Sequence, residues 1–165
     1  MKKIYLIITV IFISSYSCKA QLNTLNRTEY YNIKINNVTF QSLYDTNGDE
    51  ASMKALFGSD LEFEFKNDIL ISKGFWKPEL YSFLFSSDEG SYYVPISISI
   101  FNSSVTITVK GISVKLGDDK SIFGSLLLNT NTNSIIFVDD TGTSSLAFKI
   151  DPFTNKIIKI EFYAF

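Results

Sequence analysis

The chain is 165 residues long, sets 15 Lys and Arg against 17 Asp and Glu, and contains no histidine and one cysteine. A net charge of −2, with no basic run after Lys3, argues against electrostatic capture of nucleic acid or of an anionic lipid surface. Without imidazole, and without a thiol beyond Cys18, there is no Ser-His-Asp or Cys-His relay and no structural zinc; carboxylate, lysine and oxygen-ligand metal chemistry remain.

The chain opens with Lys2 and Lys3, an apolar run over residues 4–13 and a small, polar stretch over residues 14–20. These are the three regions of an export signal, and the apolar run is too short for a permanent bilayer span. Two processing routes fit. Cys18-Lys19-Ala20 satisfies the small-x-small rule for cleavage after Ala20, and Cys18 also stands where a lipoprotein signal places its acylated cysteine. The short Lys-Lys signal has a bacterial form. The expected division is an export signal over 1–20, a polar tether over 21–28 and a single β-rich domain over 29–165. The expected compartment is the periplasm, the outer membrane as a lipoprotein, or the exterior, with a lipid on Cys18 as the only membrane contact. The expected domain has no cysteine to pair, so its stability must come from a core, and a chain of this size buries roughly two-thirds of its unfolded surface.

From Tyr30 onward, short apolar alternations are separated by turn residues, the pattern of an all-β domain. Tyr31, Ile33 and Ile35 alternate with polar residues, Asn36-Asn37 turns the chain, and a strand is expected over 38–44. Residues 49–57 read as a helix, with acidic residues in the first turn, Gly58 as its stop, and Met53, Leu56 and Phe57 as the buried stripe. Residues 61–65 alternate cleanly, with Leu61, Phe63 and Phe65 on one face and Glu62 and Glu64 on the other. A turn at 66–68 leads to strands over 69–72, 80–85 and 92–101, the last with Ile96, Ile98 and Ile100 on one face. Strands over 105–109 and 112–116 follow, then a segment over 120–128 that fits either a helical turn or a strand. A loop at 129–134 precedes strands over 135–138 and 146–150.

The last hairpin is the best specified, because Pro152 presets a turn and Asn155 tolerates positive φ. The register pairs Ile150 with Ile158, Phe148 with Ile160, Leu146 with Phe162 and, unfavourably, Lys149 with Lys159.

The expected fold is mainly β: a single antiparallel domain, sandwich-like or a strongly bent sheet, with one or two short helices. The alternative is α+β, including a tandem β–helix–β-meander duplication. Phe57-Gly58-Ser59 followed by Leu61, and Phe123-Gly124-Ser125 followed by Leu127, carry the hint of repetition.

Candidate chemistry is sparse. Asp45, Asn47 and Asp49 copy the opening of an EF-hand calcium loop, but Glu50 replaces the required glycine and Leu56 the bidentate carboxylate; a turn with Asp49 or Thr46 capping the following helix accounts for the same residues. Glu62 and Glu64 share one strand face and could form a carboxylate pair for glycan hydrolysis, against a single Trp for sugar stacking. Gly74-Phe75-Trp76-Lys77-Pro78 reads as a loop presenting Phe75 and Trp76 to a partner, with Tyr92 or Tyr93 as a second contact. The functional expectation is therefore a non-catalytic exported envelope protein, of accessory, inhibitor or immunity type, that binds a protein or a surface glycan and needs no cofactor. A calcium-stabilised extracellular module is the first alternative and a carboxylate hydrolase the second.

Overall fold

The computed structural model of the protein describes residues 20–67, 71–87, 92–128 and 131–164. Residues 1–19, which hold Cys18 and all but the last residue of the expected export signal, lie outside the described residues, as do 68–70, 88–91, 129–130 and 165. The fold is mainly β, 48% strand against 19% helix.

The chain begins with β1 (Ala20–Leu25) and a short helix α1 (Arg27–Tyr31), then forms the hairpin β2 (Lys34–Ile35) and β3 (Val38–Thr39). Helices α2 (Phe40–Asp45) and α3 (Glu50–Phe57) lead into the meander β4 (Glu62–Asn67), β5 (Ile71–Lys77), β6 (Tyr81–Ser87) and β7 (Val94–Ile100). A second hairpin, β8 (Ile107–Val109) and β9 (Ile112–Val114), is followed by a 3-10 segment (Lys120–Leu126). The meander β10 (Ser134–Asp139), β11 (Ser144–Ile150) and β12 (Ile157–Ala164) closes the fold. Eight strands form one sheet in the order β1-β10-β11-β12-β7-β6-β5-β4, and four form a smaller one in the order β3-β2-β8-β9. All pairings are antiparallel except β1 with β10.

The two halves repeat one plan: hairpin, helical segment, meander. Each hairpin turns on a residue at positive φ, Asn36 at 54° and Lys110 at 50°. Phe57 and Phe123 occupy matching places. A glycine at positive φ follows each, and each ring packs on a phenylalanine of its own meander, Phe57 on Phe83 at 4.6 Å and Phe123 on Phe148 at 5.1 Å. Matching strands meet antiparallel at the centre of both sheets, β7 with β12 and β2 with β8, so the halves are related by an approximate twofold axis. The first half completes its share of the large sheet with β4, and β1 takes the corresponding edge in the second.

That placement corrects the expected tether at 21–28. Gln21 and Leu25 face the core, 7% and 0% exposed, while Leu22 points out at 65%. The polar look of the segment misleads because Gln21 is held by main chain: its amide nitrogen donates to the Leu126 carbonyl and its oxygen accepts the Leu128 N–H at 2.8 Å. The strands expected around residues 31–33 and over 40–44 are also corrected, to α1 and α2. Asn26 and Glu29 form a closed capping box, each side chain accepting the other's main-chain N–H at 2.9 Å, and Thr39 caps α2 through the Ser42 N–H at 3.0 Å. These caps satisfy donors that an extended chain would leave to other partners, and they outweigh the apolar alternation.

Helix α3 agrees with the expectation. Asp49 accepts the Ser52 N–H at 2.9 Å, Gly58 ends the helix at φ 109°, and Met53 and Phe57 are buried. Asp49→Ala should lower stability by about 1 kcal/mol in a urea titration, equally with and without calcium; a loss confined to calcium-containing buffer would instead assign the carboxylate to an ion. In the last hairpin, Phe148–Ile160, Leu146–Phe162 and Lys149–Lys159 pair as expected. A bulge after Lys149 moves Ile150 onto Ile157 instead of Ile158. Lys159 turns to Glu161 at 2.7 Å, which relieves the lysine pair.

The core lies between the sheets. Along one row of the large sheet the inward residues run Phe63, Phe75, Phe83, Ile98, Phe162, Leu146, Phe137 and Asn23. Ile35, Phe40 and Ile107, from β2, α2 and β8, close over its middle.

Candidate functional site

The helices and the small sheet cover one face of the large sheet, and the side chains that point away from them form the other. In register with the aromatic row, the outward residues run Glu62, Trp76, Ser82, Ser99, Glu161, Ala147, Ile136 and Leu22. The neighbouring outward row runs Glu64, Gly74, Leu84, Ser97, Tyr163, Ser145, Val138 and Thr24. Serine, glycine and alanine occupy much of the middle of both rows, and the large uncharged side chains are Trp76 and Leu84 toward the β4 edge, Tyr163 near the centre, and Ile136 and Leu22 toward the β1 edge.

Trp76 is fixed in place. Its indole N–H donates to Glu62 Oε2 at 2.7 Å across the β4–β5 pair. Its six-membered ring passes 3.6 Å from the point where a Cβ on Gly74 would sit. One edge of the indole is therefore held over β4 and the other over Gly74, so the ring lies along the sheet. An aromatic plane with its rotamer set before any partner arrives loses little freedom on binding. Of the other carboxylates on this face, Glu64 pairs with Lys66 at 3.3 Å and Glu161 with Lys159 at 2.7 Å. Burial alone would raise the Glu161 carboxyl; hydrogen bonds from Lys159 and Tyr163 and the lysine charge outweigh it and hold the group below its ordinary value.

The structure separates the expected contact residues. The stretch around Trp76 is strand β5, not a loop, because its Gly74 pairs with Glu64 on one side and Leu84 on the other. Phe75 therefore points into the core at 0% exposure and cannot meet a partner. Tyr93 is also buried, at 5%, under the Lys73 ammonium 3.9 Å from its ring centroid, while Tyr92 is open at 60%. Of the four, Trp76 and Tyr92 are accessible.

Asp45, Asn47 and Asp49 do not converge. Asp45 accepts from Gln41 at 2.7 Å, the Asn47 side chain accepts the Tyr93 N–H, and Asp49 caps α3. Asn47 and Gly48 both sit at positive φ, 50° and 59°. A Cβ on Gly48 would press within 3.3 Å of Lys73 and Phe85, so the glycine is needed for the turn itself. Among the described residues no group of three or more Asp, Glu, His or Cys is placed to hold a metal ion. Glu62 and Glu64 share the open face as expected, where Glu62 holds Trp76 and Glu64 pairs with Lys66.

Asp49 and three further aspartates serve as structural acceptors. Asp49, Asp119 and Asp151 are held below the ordinary carboxylate value chiefly by main-chain N–H donors, from Ser52, Ser121 and Phe153. Burial would raise Asp139, but Thr141, Thr143 and the Ser144 N–H together bring it below. A carboxyl depressed in the folded state stabilises fully above its unfolded value, near 3.8, and loses that contribution as pH falls toward the folded value. With no histidine in the chain, the melting temperature is expected to stay flat between about pH 5 and 8 and to fall steeply below about pH 4. A step near pH 6.5 in thermal melts would contradict this.

No helix among the described residues is long and apolar enough to cross a membrane. No protein-family model, curated protein or solved structure matches the chain.

Proposed function

We propose that this is a non-catalytic, exported protein of the bacterial envelope that binds a protein or a surface glycan on the open face of its large sheet. The observation that carries the reading is the partly exposed Trp76 indole, tied by Glu62 and laid over Gly74, with Ser82 and Leu84 on the adjacent strand. Such a surface offers an aromatic plane and apolar contacts among serines and glutamates already engaged in hydrogen bonds or ion pairs, which suits recognition without chemistry. Export rests on the leading segment of the sequence. Lipid attachment at Cys18 would tie the β1 edge close to the membrane, since β1 begins at Ala20.

The test is capture of the partner from native envelopes by tagged protein. Trp76→Ala should weaken recovery at least tenfold while the variant keeps its cooperative melt. Undiminished capture by a folded Trp76→Ala protein would remove the assignment.

A further inference from the structure

We infer that a polar groove on the covered side of the molecule, between α1, α2 and the β10–β11 turn, is a binding site for a short neutral oligosaccharide. It shares no residue with the Trp76 face and stands whether or not that face takes a partner.

The groove has two lobes, of about 280 and 350 Å³, and Arg27 and Tyr31 line both. Lobes of this size lie near the lower end of small-molecule clefts, roughly 300–1,000 Å³. Its walls are preformed. The rings of Tyr30, Tyr31 and Tyr44 pack edge to face with centroids 5.2, 5.5 and 6.2 Å apart. The Tyr30 and Tyr44 hydroxyls share a 2.7 Å hydrogen bond. Opposite them, Asp139 locks the β10–β11 turn by accepting from Thr141 at 2.5 Å and from the Ser144 N–H at 2.9 Å.

The lining carries both signs, the Arg27 guanidinium on α1 and the Asp139 and Asp140 carboxylates on the β10–β11 turn, and so is tuned to neither a simple cation nor a simple anion. A cation drawn to Asp139 and Asp140 would share its lobe with the Arg27 guanidinium, which lies 5.8 Å from the Tyr31 ring centroid, and the packed tyrosines leave no aromatic cage for it. An anion would meet Asp139 and Asp140 on the same wall. A neutral polyol meets neither obstacle. Arg27 and Asp140 have no ion-pair partner among the described residues, so both bring unused hydrogen-bonding capacity to the groove. With the Asn32 carboxamide in the second lobe, they supply the planar, two-pronged groups that span adjacent hydroxyls. Tyr31 lies between the lobes with Arg27 over its ring, so the pair presents an apolar edge and a planar donor side by side to a sugar.

The experiment is an NMR titration of the folded protein with maltotriose, cellotriose and tri-N-acetylchitotriose, with triglycine as a zwitterionic control. At least one trisaccharide should give saturable shifts confined to α1, α2 and the β10–β11 turn, with Kd below about 10 mM. Asp140→Asn, at an exposed position, and Tyr31→Ala should each weaken it about tenfold, while Trp76→Ala leaves it unchanged. Absence of saturable shifts with all three sugars overturns the inference. So does binding that both groove variants leave intact, binding lost only in Trp76→Ala, or saturation by triglycine alone.

Discussion

Phe148→Ala is expected to cost about 3–5 kcal/mol, a large fraction of the roughly 5–15 kcal/mol that holds a domain of this kind together. Phe148 is wholly buried on β11, edge-on to Phe123 at 5.1 Å and to Phe137 at 6.0 Å. It therefore joins the 3-10 segment to two strands of the second half. Removing the ring leaves a hole lined by other rings, which cannot collapse without moving those strands. The matched control is Phe153→Ala in the β11–β12 loop, where the ring is 85% exposed and the change should stay within about 0.5 kcal/mol. Urea titrations of both variants check the pair; similar midpoints would mean that the inner aromatic row does not carry the fold.

Leu25→Asp should be as damaging, and its contrast with Leu22→Asp tests whether β1 belongs to the sheet. Leu25 is 0% exposed among core residues, and a carboxylate there would either be buried without a partner or force β1 off β10. A loss of at least about 3 kcal/mol is expected. Leu22 lies on the opposite face at 65% exposure, so its aspartate variant should be close to neutral. If both variants melt with the wild type, residues 20–25 act as a free tether and the large sheet ends at β10.

The elements that the sequence announces are those in which pattern and punctuation agree. Helix α3 has acid at its start, glycine at its end and apolar residues one turn apart. The last hairpin has Pro152 and Asn155 between two alternating runs, and only the bulge after Lys149 escapes the reading. Where two signals compete, reading by alternation fails. Asn26 and Glu29 close a capping box that starts α1, and this overrides the alternation of Tyr31, Ile33 and Ile35. In β7 a bulge after Leu84 sets Phe85 opposite Pro95, so Pro95 is buried and Ile96 leaves the face it would share with Ile98. No local pattern announces β1, because Gln21 is buried through bonds to residues more than a hundred positions away.

The candidate surface was legible in its central residue and not in its form. Trp76 stood out as the only tryptophan, but the glycine and proline around it suggested a loop. In the fold, Gly74 lies in mid-strand and makes room for the indole, and Pro78 follows the end of β5. The aromatic surface is therefore a sheet face instead of a loop tip, with Phe75 and Tyr93 in the core. The tyrosine groove had no sequence signature, since α1, α2 and the β10–β11 turn meet only in the folded chain.

The most direct measurement of the proposed binding face is photocrosslinking in native envelopes from single positions around the sheet. A photoreactive residue at Ser82, Leu84 or Ser99 should yield the same discrete adduct, and one at Phe153 should yield none. Adducts from Phe153 alone, or none from any position on the open face, would contradict the account.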